Sequence, residues 1–425
     1  VTLLHDGPST GGLAAQVTPV AQAVLGTELP IRIRFWDGTE VGPADTPALV
    51  VRSPRALRRL LWHPGELGLA QAYVTGEIDV EGDLADGFRR VWKAFRDRDS
   101  SPALSQLAPR VPLGLVRQAL GTPLPPPDTQ ARLRGRLHTR RRDRDAIAHH
   151  YDLSNEFYQL VLDPHMAYSC AYFTEPGQSL ERAQEAKLDL VCRKLGIEPG
   201  QSLLDVGCGW GSLSLHAARV YGAQVTGITL SAQQAEFVRE RVHRQGLSDR
   251  VTVKLLDYRE LGDELFDAVA SLEMGEHVGQ ANYPVYAATL HRMVRPGGRV
   301  LVQQMSRGAH RPGGGAFIEA YIAPDMHMRP VGETVAMLEQ AGLEVRDVHG
   351  LREHYVWTAQ AWYEQFEERY DQVVKMVGEE MARVWRLYLV GGGLAFEEGR
   401  MGVDQILSVR RTPDGTIAMP AVREF

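Results

Sequence analysis

The sequence predicts an α/β protein: a doubly wound, mostly parallel Rossmann-like sheet with a smaller N-terminal α+β domain. Three observations predict it. From Leu203 onward, short apolar strands alternate with amphipathic helices. A glycine-rich turn, Asp205-Val206-Gly207-Cys208-Gly209-Trp210-Gly211, stands between the first of those strands and the helix after it. A proline-rich break at 122–127 separates this region from an earlier one of different texture, because proline fixes φ and removes a backbone donor.

The 425 residues suit two domains. The expected boundaries are 1–121 for an N-terminal α+β domain, 122–145 for a Pro/Arg-rich linker and 146–425 for the domain with the glycine-rich turn. In the first region Ile31-Arg32-Ile33-Arg34-Phe35-Trp36 alternates and then meets Asp37-Gly38, the pattern of strand and turn. Segments 49–51 and 78–80 read as further strands with helices between. The linker carries Arg132, Arg134, Arg136, His138, Arg140, Arg141, Arg142 and Arg144. Two readings stand for this run: a solvated tether, or attraction to anionic head groups at about 1 kcal/mol per basic residue. In the second region 203–206, 224–228, 251–253, 266–270 and 299–302 read as strands, and 213–220 as the helix after the glycine turn.

Bulk composition narrows the function. With 53 acidic against 47 basic residues, a nucleic-acid partner is not expected. Three cysteines, Cys170, Cys192 and Cys208, make neither a zinc spacing nor a disulfide framework, so no metal site and a reducing, cytoplasmic setting are expected. Residues 1–12 lack a signal-peptide pattern, and no apolar run is long enough to span a bilayer. Any membrane contact is therefore expected to be peripheral, at the inner face.

Glycines in the turn let the backbone bend sharply and approach a ligand beside a helix N-terminus. The spacing is G-x-G-x-G rather than the dinucleotide G-x-G-x-x-G, and Asp205 precedes it. That pattern favours S-adenosylmethionine over a nicotinamide dinucleotide. At the end of the next strand a dinucleotide enzyme usually offers an acid to the ribose. Here Thr229-Leu230-Ser231, with Gln234 further on, offers hydroxyl and amide groups instead.

Several strings occur together and in order from about His149. They are Tyr151-Asp152-Leu153-Ser154-Asn155-Glu156-Phe157-Tyr158, Tyr168-Ser169-Cys170, the loop 206–211, and Thr229-Leu230-Ser231 with Gln234. Glu276-His277-Val278-Gly279 follows, then Tyr355 ahead of Thr358 and Trp362. In these strings the sequence resembles the cyclopropane-fatty-acyl-phospholipid and mycolic acid cyclopropane synthases. The N-terminal region resembles the extra domain of the longer, phospholipid-acting members in position and size only.

The resemblance implies an S-adenosylmethionine-dependent methyltransferase that adds carbon to a double bond of a lipid acyl chain. By position, Tyr168 and Ser169 would hold the methionine end of the cofactor, and Gly207, Gly209 and Gly211 would line it. Thr229, Leu230 and Gln234 would address the ribose, and Tyr258, with Asp257 beside it, would pack on the adenine. The family is understood to use bound bicarbonate as the base, held by a Cys, a Glu, a His and a Tyr. Cys170, Glu276 and Tyr355 match three of these places.

The fourth differs. Gln303 stands where the pattern has His, and an amide donates a hydrogen bond but does not carry a proton. Glu273 adds a carboxylate where relatives are often small. Two readings stand for it: a base created by two neighbouring carboxylates, or a solvated or salt-bridged residue. Near the C-terminus Gly391-Gly392-Gly393-Leu394-Ala395-Phe396 has no cysteine where some relatives do.

These departures resemble the actinobacterial branch that makes 10-methylene stearoyl lipids from oleoyl lipids, with a partner flavin or nicotinamide reductase completing the 10-methyl acid. A cyclopropane synthase and a small-molecule N-methyltransferase are the alternatives, and a homodimer is a further expectation. Segment 317–328, with Tyr321, Met326 and Met328, is expected either to wall an acyl channel or to serve as adaptable core.

Overall fold

The computed structural model describes residues 12–25, 28–97, 121–131, 139, 142, 153–308, 313–417, 419–423 and 425. The chain divides into two compact units, Val1–Gln130 with Gly378–Leu394, and Ala131–Val377 with Ala395–Phe425.

The first unit carries a four-stranded sheet in the order β2-β1-β3-β4, formed by Arg32–Phe35 (β1), Glu40–Val41 (β2), Ala48–Val51 (β3) and Ile78–Glu81 (β4). Strands β1 and β3 run parallel and the other pairs antiparallel. Ser53 and Asp83 cap the helices Pro54–Trp62 and Leu84–Arg96 by accepting from backbone amides of the first turn. A buried ion pair, Arg59 to Glu77 at 2.8 Å, ties the first of these helices to the loop before β4. Residues 378–394 group with this unit, not with the 146–425 region in which the sequence reading placed them. Arg383 is the physical reason. Its guanidinium donates to the carbonyls of Tyr73 (2.6 Å) and Ile78 (2.9 Å) and lies 4.3 Å from the Tyr73 ring centroid.

The second unit is built on a seven-stranded sheet of order β10-β11-β9-β8-β5-β6-β7. Its strands are Ser202–Val206 (β5), Gln224–Thr229 (β6), Val251–Leu255 (β7), Phe266–Leu272 (β8), Val294–Arg307 (β9), Glu344–Gly350 (β10) and Met401–Val409 (β11). Strands β5 to β9 pair in parallel, while β11 lies antiparallel between β9 and β10. The five strands expected from the sequence are present; β10 and β11 were not anticipated. Successive residues of β5 point to opposite faces. Leu203 accordingly enters a core with Val191, Leu195 and Leu213, and Leu204 enters a second core with Tyr283, Tyr286 and Leu290.

The chain winds from β5 outward to β7 and then returns to β8 on the other side of β5. That reversal opens a crevice beyond the carboxyl ends of β5 and β8, where ligands bind in open α/β sheets. The loop after β5 and the segment after β8 therefore meet at one edge.

Tyr151, Asp152, Arg132, Arg134, Arg136, His138, Arg140, Arg141 and Arg144 lie outside the described residues. Arg142 is described, and its guanidinium donates to both oxygens of Asp325, at 2.5 and 2.8 Å. Among the described residues no helix is long and apolar enough to cross a membrane.

Candidate active site

The turn after β5 is pinned to the neighbouring strand: the amides of Gly207 and Cys208 both donate to the Ile228 carbonyl, at 3.0 and 2.9 Å. Gly207 has φ +82°, and a Cβ there would come within 2.9 Å of Met274 Cγ. Gly209, at φ +52°, faces open space. Both positions keep the crevice floor free of side chains. Asp205 is buried beneath them and accepts from Ser214 Oγ at 2.7 Å; burial raises its carboxyl to about 6.

One cleft gathers most of the expected cofactor residues: Tyr168, Ser169, Asp205, Gly207, Gly209, Thr229, Leu230, Gln234 and Tyr258 line it. Thr229 Oγ1 donates to Gln234 Oε1 at 2.8 Å, which fixes the amide at the end of β6. Gly211 and Asp257 are not on the cleft wall. Gly211 caps the helix Ser212–Val220 in a left-handed conformation, where a Cβ would meet Val238. Asp257 grips Arg259 through both carboxylate oxygens, at 2.8 and 2.6 Å. It is Arg259 that reaches the cleft, with its guanidinium 5.3 Å from the Tyr258 ring centroid.

The string from Leu153 to Tyr158 has a structural role here. Asn155 Oδ1 accepts from Trp210 Nε1 at 2.8 Å, and the Tyr158 ring packs on that indole at 4.3 Å. Tyr168 continues the aromatic line to Trp362 (5.3 Å), Trp362 to Tyr355 (6.0 Å) and Tyr355 to Phe396 (4.2 Å, stacked). The rings thus run from the glycine turn to Tyr355, whose hydroxyl donates to Glu273 in the segment after β8.

Glu273 opens that segment with φ +51°, a left-handed conformation that L side chains adopt at a cost. Its Oε1 accepts from the Cys170 amide (2.7 Å) and Gln303 Nε2 (2.8 Å), and its Oε2 from the Tyr355 hydroxyl (2.7 Å). The donors expected to hold bicarbonate at Cys170, at residue 303 and at Tyr355 are thus all engaged by a carboxylate of the chain itself. Burial raises the Glu273 carboxyl, against the lowering effect of those three bonds. Cys170 contributes its amide. Its thiol is buried against carbonyls and pushed well above its usual range, chiefly by burial and then by the Glu273 charge.

Glu276 is fully buried, accepts from the Met305 amide through Oε1, and has no partner for Oε2. Burial first, and the Glu273 charge second, push it up to about 8. Two carboxylates of different character therefore adjoin: Glu273 lines the cleft, and Glu276 lies behind it as a neutral acid near pH 7.

Two residues here escaped the sequence reading. Lys187 Nζ donates to Ser169 Oγ at 2.6 Å in a fully buried position, where burial lowers its pKa against the pull of Glu273 and Asp205. Its signal was a lysine on the apolar stripe of Leu180–Leu195, four residues after Ala183. Gln405 Nε2 donates to Gln303 Oε1 at 2.9 Å and fixes which end of that amide faces Glu273. In segment 317–328, expected to wall an acyl channel or to serve as adaptable core, Phe317, Tyr321 and Met328 are buried and Met326 is half-buried, and none of the four lines this cleft. No group of metal ligands occurs among the described residues.

Known proteins match this arrangement. Residues 138–406 match the family model described as mycolic acid cyclopropane synthetase. A probable fatty acid methyltransferase of Pseudomonas putida is 40% identical over 425 residues, covering 97% of this chain and 99% of that protein. The tuberculostearic acid methyltransferase UfaA1 of Mycobacterium tuberculosis is 34% identical over 422 residues, covering 95% and 94% respectively. The solved structure of the mycolic acid cyclopropane synthase CmaA1, complexed with S-adenosylhomocysteine and CTAB, is 31% identical with a TM-score of 0.60, covering 63% of this chain and 98% of that one. The sheet order, the glycine-rich turn after β5 and these matches agree: the chain belongs to the mycolic acid cyclopropane synthetase family and is an S-adenosylmethionine-dependent methyltransferase.

Proposed function

We propose that the enzyme methylates a carbon of the cis double bond in an unsaturated phospholipid acyl chain, with an oleoyl chain giving a 10-methylene product through a carbocation. One observation carries this reading. Glu273 both lines the cofactor cleft and accepts from Tyr355, at the end of a line of aromatic rings that begins at the glycine turn. The names of two relatives, a probable fatty acid methyltransferase and a tuberculostearic acid methyltransferase, support the acyl substrate.

Bound S-adenosylmethionine supplies an electrophilic methyl group on a sulfonium. The chain does the rest. Tyr168 and Ser169 line the cleft and would hold the methionine end, with Lys187 bracing the serine; Thr229, Leu230 and Gln234 would address the ribose, and Tyr258 would pack on the adenine. An alkene is a weak nucleophile, so holding it against the methyl in a site that excludes water supplies much of the acceleration. Of the rings in the aromatic line, Tyr168 reaches the cleft wall, where an aromatic ring would favour a developing cation. Glu276, held neutral, adds no second full charge beside Glu273.

The protein works at the inner face of the membrane as a peripheral, cytoplasmic enzyme, as a homodimer. A flavin or nicotinamide reductase acts on its product to give the 10-methyl chain. Incubation with dioleoyl phospholipid vesicles and S-adenosylmethionine, followed by mass spectrometry of the released acids, tests the reading. A methylene-branched acid is expected. A cyclopropane acid would transfer the reading to ring closure, and methylation of small amines with no change in lipid would end it.

A further inference from the structure

We infer that Glu273 is a base built into the chain, occupying the seat an external carbonate would need, so that catalysis here requires no bicarbonate. The inference rests on the proposed acyl methylation and deepens it.

A carboxylate and a bicarbonate present the same planar pair of acceptor oxygens. In this site the pair belongs to Glu273. Three donors from three separate elements converge on it: the Cys170 amide, the Gln303 side chain and the Tyr355 hydroxyl, at 2.7–2.8 Å. Gln405 holds the Gln303 amide so that its NH₂ end points inward. A second anion would have to displace Glu273 from these donors, and it would then lie beside the displaced carboxylate in a buried site.

The backbone points the same way. Residue 273 sits at φ +51°, a left-handed conformation that glycine adopts freely and a glutamate adopts under strain. A glycine would keep the turn and vacate the seat. A glutamate in that conformation is retained at a cost, consistent with a use for its side chain.

The chemistry balances with Glu273 as the acceptor. The alkene π pair forms the bond to the methyl carbon, and the sulfur–methyl bond breaks with its electrons left on sulfur. A hydride then shifts to the cationic carbon. A C–H bond of the new methyl breaks next; its electrons form the exocyclic double bond and its proton passes to a Glu273 oxygen. The neutral acid returns that proton to water when the cleft empties.

Wild-type protein, Glu273→Gln and Glu273→Gly are compared in carbon-dioxide-depleted buffer with and without bicarbonate. Lipid product is measured by mass spectrometry, and ¹³C-bicarbonate binding by NMR in the presence of S-adenosylhomocysteine. Wild type should be indifferent to bicarbonate and bind none. Glu273→Gln, whose amide accepts no proton, should lose about 10²–10⁴-fold in turnover with no rescue. Glu273→Gly should bind labelled bicarbonate and regain turnover with it. Specific bicarbonate binding by wild type, a bicarbonate requirement in wild type, or full activity in Glu273→Gln would overturn the inference. The NMR readout needs no acyl substrate, so it decides the seat even where lipid methylation fails. Retained S-adenosylhomocysteine affinity and an unchanged melting temperature show that each variant is folded.

Discussion

Gln405 lies directly opposite Gln303 in the antiparallel pairing of β11 with β9, and its side-chain amide donates to the Gln303 carbonyl oxygen at 2.9 Å. The contact reaches the site only through its neighbour. With its oxygen satisfied on the β11 side, the Gln303 amide must present Nε2 to Glu273, and that bond helps keep Glu273 ionised. Gln405 is thus a positioning residue.

Replacing it with leucine should strand the Gln303 oxygen and free the amide to turn. The Glu273 carboxylate then loses a donor, so its pKa rises. The acid limb of the kcat–pH profile should move to higher pH, while KM for S-adenosylmethionine stays the same. A uniform loss of activity across pH, with no displaced limb, would mark Gln405 as a packing residue only.

Tyr355 combines two functions that a single substitution separates. Its ring stacks on Phe396 at 4.2 Å, and its hydroxyl donates to Glu273 Oε2 at 2.7 Å. Tyr355→Phe keeps the stack and removes the donor. A buried acceptor left short of a donor costs about 1–3 kcal/mol, so turnover should fall roughly 10- to 100-fold. The same loss should lower the melting temperature by a few degrees. Unaltered turnover in vesicle assays would show that the hydroxyl takes no part in holding the carboxylate.

Glycines of the turn after β5 should differ in sensitivity. At Gly207 both the left-handed φ of +82° and the approach of Met274 oppose a side chain. At Gly209 only the φ of +52° does, since the space beyond it is open. Gly207→Ala should therefore lower S-adenosylhomocysteine affinity more than Gly209→Ala in apo protein, read by calorimetry. The open space at Gly209 adds a second test: if cofactor occupies it, valine at 209 should abolish binding that alanine only weakens.

What the sequence disclosed follows from the range over which each signal acts. Strand and helix periodicity is local, so the strands β5 to β9 were legible, as were the glycine turn and the Thr229–Gln234 pair. Spacing alone does not say whether Gly211 and Asp257 reach the cleft wall. Both stand next to cleft residues in sequence without lining the cleft: at Gly211 a Cβ would meet Val238, and Asp257 holds Arg259. Gln405 was invisible for a different reason. Its function depends on the register of two strands 102 residues apart, which no local pattern encodes. Glu273 was noticed as an unusual residue, but its three donors come from residues 170, 303 and 355, and only the fold brings them together.

Glu276 makes stability depend on pH in a direction opposite to that of a salt-bridged carboxylate. Its folded pKa stands at about 8 against an ordinary 4.5, raised by burial and by the Glu273 charge. Below the unfolded value both states hold the proton, and the group costs nothing. Between about 4.5 and 8 the unfolded chain releases its proton while the folded chain keeps it, so stability falls as pH rises and levels off above the folded pKa. The loss across that window is on the order of a few kcal/mol. Glu276→Gln retains an oxygen for the Met305 amide and has no proton to release. Denaturant melts should show the variant gaining on the wild type as pH is raised from 5 to about 8, with the two converging in acid. A constant difference across that range would mean that Glu276 titrates normally in the folded protein, and that the unpartnered Oε2 is reached by solvent.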